Sequence, residues 1–163
     1  MNATSSAPSR AETWADAAAK ALAELAETTL CMGVAERAEV LSKVPEHMRG
    51  ALIQVVWDPS MRLGVFGSKA ACEKLARALL AVEEGDPLSD DEIADAIREI
   101  INMVAGLAKR LVDENVSGNL GLPSFGSAND TSPPEPHALV VVKTFNVSSD
   151  EGDVAIVSMG KEC

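Results

Sequence analysis

Apolar residues recur along this chain with two different periods, and the changes of period divide it into helices and strands. Trp14, Ala18, Ala21, Leu22 and Leu25 follow at helical spacing behind Ser9-Arg10-Ala11-Glu12. That tetrapeptide reads as a capping box, the Ser oxygen accepting an early backbone N–H while the Glu reaches back. The spacing predicts a first helix to about Glu27. Ser68 is placed to cap a second helix, with Leu75, Leu79 and Val82 as its buried stripe and Gly85-Asp86-Pro87 as its stop. A third helix starts at another capping box, Ser89-Asp90-Asp91-Glu92, with Leu88 and Ile93 able to staple across it. Its periodic pattern persists to about Glu114, a length on the order of 37 Å at about 1.5 Å per residue.

The remaining apolar runs have strand character. Ala51–Trp57 and Arg62–Phe66 flank an Asp58-Pro59-Ser60 turn and predict a hairpin. A second hairpin is expected from Ala138–Val147 and Val154–Met159 across Ser148–Asp153, and Val34–Val40 is read as a further strand. Strands in hairpins, with the helices gathered together, give an α+β class: one antiparallel sheet of two hairpins with helices packed on it. Residues 1–8 are small and polar, a tail expected to be disordered, and residues 9–163 form the single domain. Between Asn115 and His137 the chain turns rich in Gly, Ser and Pro, most of all over 126–137, and reads as a loop that adds no core.

Composition narrows the function more than the fold. Of 163 residues 47% are hydrophobic, enough for a packed core, and the first alanine-rich stretch is broken by Asp16, Lys20, Glu24 and Glu27, so neither a leader nor a membrane span is expected. A cytoplasmic protein is the expectation. Fourteen Lys and Arg against 25 Asp and Glu leave a net charge of −11, which repels a phosphate backbone and argues against nucleic acid as a partner. The five aromatics, Trp14, Trp57, Phe66, Phe125 and Phe145, are too few for a stacking platform. Cys31, Cys72 and Cys163 form no C-x-x-C pair, and His47 and His137 stand far apart without a metal-binding spacing. No P-loop or nucleophile elbow occurs, and Ser124 beside Pro123 reads as part of a turn.

The third helix carries the candidate chemistry. With Asp95 at zero and about 100° per residue, Glu99, Asn102 and Gly106 all fall within roughly 40° of it, and Asp113 returns to it. Ile93, Ile97, Ile100, Val104, Leu107 and Leu111 fall opposite and are expected to be the core face. Asn102 is a mediocre helix former, and Gly106 costs about 1 kcal/mol relative to Ala at an exposed mid-helix position. An ordinary solvated face and a surface that a partner approaches closely both fit this stripe.

Asp95-x3-Glu99-x2-Asn102, followed by Gly106 and then Pro123, resembles the D/S-x3-E-x2-N...P signature of the CheC/CheX/FliY chemotaxis phosphatases. The hairpin Gly64-Val65-Phe66-Gly67-Ser68 leading into a helix, and the closing strand pair, are similar to CheX-type domains over most of residues 11–160. Twenty residues separate Asn102 from Pro123, slightly fewer than in the family pattern. The nearest candidate for a second E-x2-N in the first helix, Glu24-Leu25-Ala26-Glu27, lacks the amide, which implies one site per chain, as in CheX.

The resemblance implies an aspartyl-phosphate phosphatase acting on a phosphorylated CheY-like receiver domain. Asn102 would position the attacking water, Glu99 would pair with the receiver's Lys, and Asp95, Gly106 and Pro123 would border the contact. No cofactor is implied on this chain, the receiver being expected to supply Mg2+. The resemblance also implies a homodimer, and the apolar strand Leu139–Phe145 could pair with a second chain if it lies at a sheet edge. The competing class is a non-catalytic CheX-like module that dimerises or binds a receiver without hydrolysing its phosphate.

Overall fold

The structure, a computed structural model, describes residues 7–57, 60–112, 120–131, 138–147 and 153–161. Its helices are α1 (Arg10–Leu25), α2 (Lys69–Leu80) and α3 (Asp90–Val112), and its strands β1 (Val34–Leu41), β2 (Arg49–Trp57), β3 (Ser60–Gly67), β4 (Ser124–Ser127), β5 (Ala138–Val147) and β6 (Asp153–Lys161). All three helix starts hold their predicted caps. Ser9 accepts from Glu12 N–H at 3.1 Å and Ser68 from Ala71 N–H at 3.2 Å. At α3 the box is complete, Ser89 Oγ accepting from Glu92 N–H at 3.1 Å while Glu92 accepts from Ser89 N–H at 3.1 Å. At its far end α1 widens into a π turn, Ala26–Leu30, closed by Cys31 in the left-handed region at φ 52°.

The strands form one six-stranded sheet, every pair antiparallel, in the order β1-β5-β6-β3-β2-β4. β2 with β3 and β5 with β6 are the two expected hairpins, and β3 joins them by pairing with β6 from Met61↔Gly160 to Gly67↔Val154. α1 and α3 lie side by side on one face, where Ile53, Val55, Leu63, Val65, Phe145 and Ile156 share a core with Leu22, Ile97, Ile100 and Val104. Alternation sends Leu52, Phe66, Val142, Ala155, Val157 and Met159 to the other face, where Val44, Met48 and Ala128 cover them. Both faces are therefore buried, and crowding explains two glycines. A Cβ on Gly50 would stand 2.0 Å from the Val65 carbonyl oxygen, and one on Gly64 would stand 2.7 Å from both Leu52 and Val157.

Three expectations are corrected. The Gly/Ser/Pro-rich stretch is not loop throughout. Ser124–Ser127 pairs with Arg49–Leu52 as β4, and the 3-10 turn Ala128–Thr131 behind it buries Ala128 and Thr131. The pairing partner lies far back in the sequence, so nothing local marks this strand. Leu139–Phe145 is not an edge strand along its length: β6 flanks β5 on one side, and on the other β1 pairs with it from Val142 to Val147, which leaves only Leu139–Val141 without a strand partner there among the described residues. The core face of α3 is turned from the expected one. Leu111 is 52% exposed and Ile93 and Leu107 are half-buried, whereas Ala96, Ile101, Ala105 and Ala108 are buried with Ile97, Ile100 and Val104. α3 packs against α1 and α2 as well as the sheet, which widens its buried arc and recruits alanines where helices approach closely. Met1–Ser6, residues 132–137 and Asp113 lie outside the described residues.

Candidate functional site

α3 turns its predicted polar stripe outward. Asp95 and Glu99 are exposed, Asn102 and Gly106 half-buried. These side chains share a face because residues one turn apart stack along a helix, and the face points away from the sheet because the opposite arc carries the apolar side chains. Asp95 is engaged: its carboxylate accepts a hydrogen bond from the Arg98 guanidinium in an i,i+3 ion pair. Glu99 and Asn102 make no side-chain hydrogen bond or ion pair among the described residues. A Cβ on Gly106 would meet nothing within 4 Å, so the helix is bare there for the space of one side chain.

Pro123 lies at the edge of the sheet, and no contact described joins it to Glu99, Asn102 or Gly106. β4, which begins directly after it, packs against α3 as well as pairing with β2. Leu120 and Phe125, on either side of Pro123, pack on the core to which Ile101, Val104 and Ala105 of α3 belong. Gly121 N–H donates to the Gln54 carbonyl at 2.7 Å, which ties this approach to β2. Pro123 itself is half-buried, while Leu122 before it is 93% exposed.

Sequence reasoning left out Arg98, which is legible in the i,i+3 spacing of Asp95 and Arg98.

The chemistry open to this surface follows from the groups on it. A carboxamide accepts one hydrogen bond and donates another without carrying charge, which suits it to orient a water. A carboxylate without a partner can receive a cation from outside. The surface is a convex helix face, and the groove along α2, lined by Ala70, Glu73, Arg77, Val82 and Gly85, contains none of these residues. A reaction at Asn102 therefore needs a second surface to enclose the water. Among the described residues no cluster of three or more His, Cys, Asp or Glu could hold a metal ion, and no helix is long and apolar enough to cross a membrane.

Comparison with known proteins bears on this face. Residues 49–144, more than half of the chain, match the family model described as chemotaxis phosphatase CheX. The chain belongs to the CheX family. The match runs from the start of β2 into β5 and takes in the whole of α3. Among solved structures, CheX of Vibrio vulnificus is similar at 20% identity with a TM-score of 0.70, covering 91% of this chain and 99% of that one. A CheC-like superfamily protein from Shewanella sp. PV-4 is similar at 17% identity with a TM-score of 0.72, covering 99% of each chain. CheX of Borrelia burgdorferi, solved as a CheX-CheY-BeF3-Mg2+ complex, is similar at 13% identity with a TM-score of 0.65, covering 93% of this chain and 97% of that one. No curated protein sequence matches. These likenesses show that the sheet and helices have the CheC-like arrangement, as the sequence motif implied.

Proposed function

We propose that this CheX family member hydrolyses the aspartyl phosphate of a CheY-like receiver domain, using Asn102 and Glu99. The observation that carries the reading is that these two residues, one turn apart on α3, face outward without partners, on a chain of a phosphatase family. The Borrelia relative of the same fold, held in a complex with CheY, supports a receiver as the partner.

In this mechanism the docked receiver encloses the outer face of α3. Glu99 accepts the ammonium of the receiver's active-site Lys and so fixes the orientation of the two domains. The Asn102 amide accepts a hydrogen from one water and donates to a neighbouring oxygen, holding the water oxygen in line with the phosphorus. The water oxygen forms the new bond to phosphorus as the bond to the aspartyl oxygen breaks, leaving the receiver's carboxylate and inorganic phosphate. The receiver brings the Mg2+ that neutralises the phosphoryl oxygens. Gly106 gives clearance, and Asp95 and Pro123 border the contact. A homodimer belongs to the same reading, and a solution mass equal to one chain overturns that part of it.

The test is the decay of a phosphorylated receiver in Mg2+ with and without the protein, and with Asn102→Ala. Acceleration that is lost in the variant is the expected result. Phosphorylation-dependent binding without acceleration would instead identify a non-catalytic binding module.

A further inference from the structure

The outer face of α3 has to receive an anion on a chain that carries a net charge of −11. In the proposed reaction a phosphoryl group of charge about −2 arrives beside Asn102, and Glu99 adds a carboxylate next to it. Like charges at such short range repel, and excluding water from the contact strengthens the repulsion. A cation of this chain on the same face offsets it. α3 carries three cations: Lys109 and Arg110 stand about two turns beyond Asn102, whereas Arg98 stands one turn before it and directly precedes Glu99.

Arg98 is half-buried on the flank of the polar stripe, roughly 60° round the helix from Asp95. Its guanidinium donates to the Asp95 carboxylate and is thereby drawn over the stripe. Helical side chains lean toward the N-terminus, so the Asn102 carboxamide projects over the turn that Arg98 and Glu99 occupy. Residues four apart on a helix stand about 5–6 Å from each other between Cβ atoms, within reach of one bound group. The hold of Asp95 is weak: the two side chains are 35% and 72% exposed, and an exposed i,i+3 pair is favoured only about twofold. A phosphoryl group carries more charge than a solvated carboxylate and matches the guanidinium fork with two oxygens. We propose that Arg98 exchanges Asp95 for the phosphoryl oxygens when the phosphorylated receiver docks, donating hydrogen bonds to them while Asn102 holds the water. Arg98 stays protonated throughout and exchanges no proton with the water or the phosphate. The inference rests on the phosphatase reading and adds to it a catalytic cation supplied by this chain, one that also makes the site prefer the phosphorylated receiver.

Steady-state turnover of the phosphorylated receiver, together with binding of the receiver in Mg2+ with and without beryllofluoride, tests this with Arg98→Gln and Arg98→Lys. Losing hydrogen bonds to a charged group corresponds to about tenfold or more. The expected result in Arg98→Gln is a kcat lowered about tenfold or more, restored in part by Arg98→Lys. The Kd for the beryllofluoride-charged receiver should rise in Arg98→Gln, while that for the uncharged receiver stays within about twofold of wild type. Because the ion pair with Asp95 is exposed, the thermal unfolding midpoint should not move in either variant. A wild-type kcat in Arg98→Gln, with wild-type turnover intact, overturns the role of Arg98 and leaves the phosphatase standing. Equal weakening toward the charged and uncharged receivers overturns it as well, by making Arg98 an ordinary docking contact. A lower unfolding midpoint in Arg98→Gln with the preference for the charged receiver unchanged overturns it by making the residue structural. No turnover by the wild-type protein overturns the phosphatase reading and this role with it, a failure seen before any substitution is made.

Discussion

Asp95 and Arg98 are ion-paired along the outer face of α3, and Glu99, the next residue after Arg98, has no partner among the described residues. Two acids on one helix face are therefore in different states before any partner arrives. Asp95 is 72% exposed in its side chain and already neutralised by a neighbour, while Glu99 is free to take a cation from outside. An exposed i,i+3 pair contributes about 0.5 kcal/mol or less. Asp95→Ala should therefore leave the unfolding midpoint nearly unchanged and raise KM for the receiver less than Glu99→Ala does. A larger KM effect at Asp95 would move the docking role to that residue.

Glu99 and Asn102 should separate in kinetics. Removing a charge-assisted contact from docking weakens binding by about tenfold or more, so Glu99→Ala should raise both KM and the Kd for a beryllofluoride-charged receiver. Asn102→Ala removes the water's orientation and should lower kcat about a hundredfold with little change in Kd. The reverse pattern would exchange the two roles.

Gly106 sets stability against docking. Its added Cβ would meet nothing, so Gly106→Ala should stabilise the helix by up to about 1 kcal/mol and raise the melting temperature by about 2–4 °C. Gly106→Leu should keep that fold and lose receiver binding in a pull-down. Retained binding in the leucine variant would show that no partner needs this space.

Gly50 should behave in the opposite way. A Cβ there stands 2.0 Å from a backbone oxygen, which cannot swing aside as a side chain can. Gly50→Ala should cost about 3 kcal/mol, read as a lower denaturant midpoint at unchanged slope.

Cysteine chemistry and alkaline stability can be checked together. Burial pushes the Cys72 thiol up from 9.0 to about 11, opposed by a backbone hydrogen bond to Gly67 and the charge of Arg49. Cys31 is exposed, so alkylation mapped by mass spectrometry should label Cys31 quickly and Cys72 only on unfolding. A folded value above the unfolded one means that the unfolded chain loses this proton first. Stability should therefore fall as pH rises from 9 to about 11, and fall less steeply in Cys72→Ala. For Lys143, desolvation lowers the value, but hydrogen bonds and charge from Asp16 and Glu36 outweigh it and leave it raised above 10.5. Its contribution is complete below 10.5 and is lost as pH climbs through the higher folded value, which adds to the same alkaline decline.

Features that depend on neighbours within a few residues are legible in the chain alone. Ser9, Ser68 and Ser89 marked three helix starts because a cap and the N–H it accepts lie three residues apart. The two hairpins were legible because few residues separate their strands in the sequence, and the outward stripe from Asp95 to Gly106 because a helix repeats every 3.6 residues. Long-range packing alone makes Ser124–Ser127 a strand, lays β1 along part of β5, turns Ala105 of α3 inward with Leu111 outside, and leaves Leu122 in solvent between the half-buried Leu120 and Phe125. Each of these depends on contacts between segments far apart in the chain. The side chain at such a position is set by what arrives from elsewhere, and the local sequence carries no record of its arrival.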